Sequence, residues 1–167
     1  QRSIALNPNF KYPNFNAARA YVQLQKYDSA IMYFNRMLQF DPEYPDAHLE
    51  KGMAFFNIQR FDSAEKEMRY VMTLKPNDPS VANTMGAIYL NTKQYPQAID
   101  WFKKSIAVDA RYYTAYSNLA RAYYFSGQYA AAIQTINKEL EIDPKNGRDV
   151  PYIALSYQKM GDMVMAK

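Results

Sequence analysis

The sequence predicts an all-α solenoid built from helix–turn–helix units, and three observations carry that prediction. First, residues recur on a lattice with a period of 34. Pro8, Pro42, Pro76 and Pro144 share one column, in which Ala110 fills the missing proline. Second, small and aromatic residues repeat in phase with it. One column reads Ala30, Ala64, Ala98, Ala132 and Ala166; another reads Tyr21, Phe55, Tyr89, Tyr123 and Tyr157. A further column reads Tyr27, Phe61, Tyr95 and Tyr129, then Met163. Third, the apolar residues inside each unit follow the 3.6-residue helical period.

The elements follow in order. In the second unit Leu49, Gly52, Phe55 and Phe56 mark one face of a first helix over roughly residues 46–58, and Gln59-Arg60 breaks it. Phe61, Ala64, Met68, Val71 and Met72 mark a second helix that stops before Pro76, because proline cannot continue a helix and biases its predecessor toward extended backbone. The fourth unit repeats the pattern with Tyr116, Leu119, Ala120 and Tyr123, a turn at Gly127, and then Tyr129, Ala132, Ile133, Ile136 and Leu140 before Pro144. Asp28 and Asp62 begin second helices, where an acid suits the positive N-terminal end. Pro96 takes that place in the third unit, where a first-turn N–H needs no intrahelical partner. Ala18, Gly52, Gly86, Ala120 and Ala154 sit in mid-first-helix and let the two helices of a hairpin approach closely. Each hairpin alone buries one side only, so stacking completes the core.

These motifs resemble the tetratricopeptide repeat (TPR) family over residues 3–167. The characteristic unit reads Gly52…Phe55…Phe61…Ala64…Pro76, and Tyr-Asp-Ser-Ala at 27–30 and Phe-Asp-Ser-Ala at 61–64 are similar to the family's turn into its second helix. The resemblance implies a right-handed αα-superhelix. Residues 11–44, 45–78, 79–112 and 113–146 would be complete repeats, residues 1–10 the end of a preceding one, and residues 147–167 a first helix with barely one turn of the next. The lattice therefore leads us to expect one array, 1–167, that is a piece of a longer chain with further domains. Two columns depart from the family. Its bulky aromatic early in helix one is replaced by Asn14, His48, Ala82 and Val150, with only Tyr116 matching. Its late small residue is replaced by Met37, Val71, Ser105 and Glu139, so packing between hairpins is expected to be locally unusual. The RNA-binding pentatricopeptide family is a neighbour, but its repeat is one residue longer.

Composition narrows the chemistry. The 167 residues contain no cysteine, which excludes disulfides, thiolate metal sites and a cysteine nucleophile. His48 is the one histidine, and five scattered glycines form no phosphate-cradling loop. The net charge of +4 is spread along the chain without a basic block, so nucleic acid is not an expected partner. No apolar run approaches a membrane span, so membrane insertion is not expected. His48 reads as a surface residue of a first helix, Glu65 and Glu67 as solvated helix face, and Trp101 as packing on the convex side or between hairpins. We find no catalytic constellation and expect no enzyme, cofactor or metal. Cysteine-free composition suits cytoplasm and bacterial envelope alike.

Function is then expected on a surface. In the TPR family, first helices line a concave groove where a partner peptide or helix lies. The resemblance places Tyr12, Phe15, Arg19 and Val22 there from the first unit, and Leu49, Met53, Phe56 and Asn57 from the second. The third contributes Asn83, Ala87, Leu90 and Asn91, and the fourth Ser117, Arg121, Tyr124 and Phe125. Asn16 and Asn118 match a column whose asparagines contact ligand backbone in related arrays. The lysine column of the family's carboxylate clamp reads Phe15, Leu49, Asn83, Ser117 and Pro151, so an acidic C-terminal tail is not the expected ligand. A hydrophobic or mixed peptide of a partner protein is expected instead. The alternative expectation is a structural spacer or oligomerisation element that uses the ends or the convex face.

Overall fold

The computed structural model describes residues 11–145 and 148–165, all helical or connecting. The expected partial repeat at residues 1–10 lies outside the described residues. Two compact units divide between Pro76 and Asn77.

The first unit contains two helical hairpins. Helix α1 (Lys11–Gln23) pairs with α2 (Tyr27–Leu38), and α3 (Pro45–Asn57) pairs with α4 (Phe61–Leu74). Helix α2 packs on α3, and α1 meets α3 beside it. Ala18, Ala30, Phe34, Met37 and Ala47 form a buried cluster, with Tyr21, Tyr33 and Tyr44 around it.

The second unit contains α5 (Pro79–Asn91) with α6 (Tyr95–Val108), α7 (Tyr113–Phe125) with α8 (Tyr129–Ile142), and then α9 (Val150–Met165). Helix α6 packs on α7 and α8 on α9, while the first helices α5, α7 and α9 touch in sequence. Leu90, Ala98, Ile99, Phe102, Leu119 and Ala122 form its buried cluster. Prolines stand in the first turns of α3, α5 and α6, where no amide hydrogen is required.

Every hairpin turns by the same device. Gln25, Gln59, Lys93 and Gly127 lie 34 residues apart and all adopt positive φ, between 56° and 79°. At each, the left-handed residue donates its N–H three residues back and its successor donates five back, as Gln59 does to Phe56 and Arg60 to Phe55, both at 2.9 Å. This pair of hydrogen bonds satisfies the last carbonyls of the first helix and aims the chain back along it. The aromatic column 21, 55, 89 and 123 supplies the deeper acceptor carbonyl of each turn.

Small residues and large ones face each other across the hairpins. A Cβ on Gly86 would lie 2.5–2.9 Å from three ring atoms of Phe102, so only glycine admits that ring. A Cβ on Gly52 would collide with the terminal methyl of Met68.

Three expectations need correction. Helix α9 continues through Gly161 to Met165 instead of turning near Met163. Tyr157, fifth in the aromatic column, is 60% exposed, where its counterparts are partly buried. Finally, His48 and Glu67 are not solvated surface. The His48 ring lies within hydrogen-bond distance of two partners, Nδ1 2.6 Å from Glu67 Oε2 and Nε2 2.7 Å from the Pro42 carbonyl oxygen. Lys51 Nζ lies 2.8 Å from Glu67 Oε1 and donates to Asn35 Oδ1 at 3.3 Å. This charged cluster ties α2, α3 and α4 together in the position where the family's aromatic is missing.

Candidate functional site

Helix α7 concentrates the features of a binding surface. Residues 117, 118, 121, 124 and 125 share one face of it, because positions i, i+1, i+4, i+7 and i+8 are helical neighbours. At its N-terminal end this face opens into a cavity of about 350 Å³. Tyr113, Thr114, Ser117, Asn118 and Arg121 line it from α7, and Asp143, Lys145, Arg148 and Asp149 from the connection into α9. Ser117 donates its hydroxyl to Glu139, whose side chain is fully buried on α8. Burial pushes the Glu139 carboxyl above its ordinary range, against the Ser117 hydrogen bond and with Asp149 and Asp143 adding to the rise. Asn118 donates to Asn83 Oδ1 at 3.0 Å, which joins α7 to α5 and keeps its own carbonyl oxygen as an acceptor.

At the C-terminal end of the same face lies an aromatic cluster. Tyr124 meets Phe125, Tyr129 and Tyr152 edge-to-face at 5.4, 5.6 and 5.0 Å between centroids, and Phe125 stacks with Tyr95 at 6.4 Å. Phe125 remains 48% exposed, so the cluster presents aromatic surface as well as packing.

The remaining sequence-predicted residues fall in different settings. Asn83 and Leu90 are buried, Leu90 within the core, and Ala87 packs against that core. Asn91 is exposed and donates to the Ala87 carbonyl at 2.9 Å; Asn57 does the same to Met53 at 2.8 Å. In the first unit Phe15 packs on Phe34 and Tyr44, with Val22 beside the same cluster. Arg19 lies over the Phe15 ring and pairs with Glu50 at 3.3 Å. Desolvation raises the Glu50 carboxyl, and the Arg19 guanidinium works against that. Tyr12, Asn16 and Met53 are exposed, Leu49 is half-buried, and Phe56 meets Phe61 edge-to-face at 5.7 Å. Trp101 is half-buried, with the Lys104 ammonium 4.1 Å over its ring.

Sequence reasoning missed the connection residues Asp143, Lys145, Arg148 and Asp149, which stand outside the helical period. Two signals pointed to them. Glu139 places an acid in a column the repeat buries, and Asp149 precedes the first residue of α9, where a helix-capping acid belongs.

Two tetratricopeptide repeat family models match the chain, one over residues 21–88 and one over residues 77–145. The chain belongs to the tetratricopeptide repeat family. Its fold matches solved structures of that architecture. A crystal structure of MamA is 22% identical over 90% of this chain and 82% of its own, with a TM-score of 0.77. PilF of Pseudomonas aeruginosa is 19% identical over 92% and 70%, with a TM-score of 0.81. MamA from residue 41 to its end, of Desulfovibrio magneticus RS-1, is 18% identical over 93% of both chains, with a TM-score of 0.73. At these identities the likeness is one of fold. No curated protein matches the chain. TPR arrays are in general non-enzymatic scaffolds, and in that general sense this TPR chain is a protein-interaction scaffold. Among its described residues no helix is long and apolar enough to cross a membrane, and no group of three or more acids or histidines is placed to hold a metal ion.

Proposed function

We propose that the second unit binds an extended segment of a partner protein along α7. The observation that carries this reading is the continuous face of Ser117, Asn118, Arg121, Tyr124 and Phe125, with a polar cavity at one end and exposed aromatic surface at the other. From Ser117 to Phe125 the helix rises about 12 Å, which an extended peptide covers in about four residues. Such a segment would place a polar side chain in the cavity and an apolar one on the aromatic cluster. Asn118 and Arg121 between them offer an acceptor and donors to its backbone. Aromatic and arginine side chains are enriched at positions that dominate protein recognition.

The test uses heptapeptides selected from a displayed random library against the whole chain. Asn118→Ala and Phe125→Ala should each weaken the selected peptides by about tenfold or more, with unfolding midpoints near that of the parent chain. Phe125 is a better probe than Tyr124, which holds three other rings in place. Unchanged affinity in both variants would remove the reading.

One observation favours association through α9. Val150, Tyr157 and Met160 are exposed along one side of it, with Leu155 exposed on another. If the side of Val150, Tyr157 and Met160 mediates oligomerisation, sedimentation equilibrium will show a concentration-dependent mass that Tyr157→Glu abolishes. A monomer at all concentrations would exclude it.

A further inference from the structure

The cavity on α7 has a charge distribution that the repeat lattice does not require. Asp149 lines the cavity, is only 2% exposed, and its Oδ2 has no hydrogen-bond partner. Its backbone carbonyl accepts from the Tyr152 N–H at 2.9 Å, so the residue is fixed at the start of α9. The positive end of that helix favours its charge but supplies no donor to Oδ2. A buried carboxylate oxygen without a donor is strongly unfavourable, which marks the site for a group that donates. Asp143 lines the same cavity, partly buried, and the buried Glu139 lies behind Ser117. Two carboxylates thus line the cavity beside three cations: Lys145 and Arg148 are exposed, and Arg121 on α7 is half-buried.

We propose that this cavity receives the side chain of one arginine or lysine of the partner segment, its cationic head donating to Asp149 Oδ2, while an acidic residue beside it in the segment meets Lys145 and Arg148. This assignment rests on the reading of α7 as a peptide-binding face and names the chemistry of the segment it takes. A cation suits Asp149 better than a neutral amide or hydroxyl, because a hydrogen bond between a cationic donor and a carboxylate is the stronger one. The lining cations disfavour a run of lysines or arginines, so one basic residue flanked by acid is the complementary pattern. The remainder of the segment continues over Asn118 and Arg121 to the aromatic cluster, which a free amino acid cannot do.

Heptapeptides selected from the displayed library on the whole chain supply the probe. The expected consensus holds a single Arg or Lys next to Asp or Glu. Asp149→Asn should weaken such a peptide at least about 30-fold, and changing the peptide's basic residue to norleucine should do the same. The norleucine peptide should then bind Asp149→Asn and the parent chain equally, the signature of a direct pair. Asparagine caps a helix as well as aspartate does, so Asp149→Asn is expected to fold; Asp143→Asn provides a second variant, with a smaller loss expected. Selected peptides that lack a basic residue, or that ignore both Asp149→Asn and Asp143→Asn while still responding to Asn118→Ala and Phe125→Ala, would overturn this proposal and leave the peptide-binding reading standing. Selected peptides indifferent to all four variants, or no enrichment at all, would overturn both. L-arginine amide binding as tightly as the peptide would overturn the assignment to a partner segment.

Discussion

Replacing Gly86 by alanine adds one methyl group where α5 closely approaches the Phe102 ring of α6. In the middle of a helix the change alone should stabilise by up to about 1 kcal/mol, because alanine restricts the unfolded chain and has the best helix propensity. Packing opposes it. The new Cβ would stand 2.5, 2.6 and 2.9 Å from Cε1, Cδ1 and Cζ of Phe102, where comfortable carbon contacts lie near 3.5–4.0 Å. The ring cannot swing aside, since it is fully buried among Leu90, Ala98, Ile99, Leu119 and Ala122. Overpacking of this kind costs about 1–3 kcal/mol, so Gly86→Ala should be destabilising by about 1 kcal/mol net. Gly52→Ala is the internal control. It meets the flexible end of Met68, which can rotate away, and Glu67 Cβ at 3.1 Å, so its net effect should be smaller than that of Gly86→Ala. Urea unfolding followed by circular dichroism measures both, with amide hydrogen exchange in α5 and α6 to localise the loss. Phe102→Leu should recover part of the stability lost in Gly86→Ala, a coupling visible in the double-mutant cycle. If Gly86→Ala instead gained the full propensity increment over the parent chain, the claim that this glycine is required by close approach would fail.

Two more predictions concern buried charge. The Glu139 carboxyl is raised in the folded state, so the folded chain binds its proton more tightly than the unfolded chain does. The ionised form therefore weakens the fold: the penalty is absent below the unfolded value of 4.5, grows as pH rises through the folded one, and is fully present above it. Glu139→Gln should accordingly raise the melting temperature at pH 8 more than at pH 4; an equal shift at both would contradict the assignment. In the first unit, Glu67→Ala would leave His48 and Lys51 facing each other without their shared carboxylate and should cost about 3 kcal/mol in urea unfolding. A loss under about 0.5 kcal/mol, typical of solvated surface positions, would show that the cluster is not structural.

The helices were legible because the lattice repeats the same packing problem. Ala30, Ala64, Ala98 and Ala132 are all fully buried, and a period alone is enough to find them. The left-handed turn residues were not legible as such: Gln25, Gln59 and Lys93 carry no conformational signature, and only Gly127 marks the position by its residue type. Their conformation accompanies the second helix packing back on the first, a long-range contact that residue type does not report. The ion cluster was hidden for a related reason. Glu67 is a polar side chain on a helix, and nothing within one turn of it shows that His48, 19 residues earlier, lies against it.

The column Met37, Val71, Ser105 and Glu139 shows how the candidate site arises from the same lattice. All four side chains are fully buried, so the position is enclosed by the repeat geometry whatever residue occupies it. Where the residue is Met or Val, enclosure adds apolar burial and nothing further is required. Where it is Ser105, the hydroxyl must find an acceptor, and it donates to the Pro79 carbonyl at 2.7 Å at the start of the neighbouring first helix. Where it is Glu139, the enclosed group is an acid, and the chain answers with Ser117 on α7, one of the residues that also lines the cavity. A structural column thus fixes a polar group on the proposed binding face from behind. Residues that fit the repeat report on packing; Glu139, which departs from it, is the one that reaches from the buried column to a cavity-lining side chain.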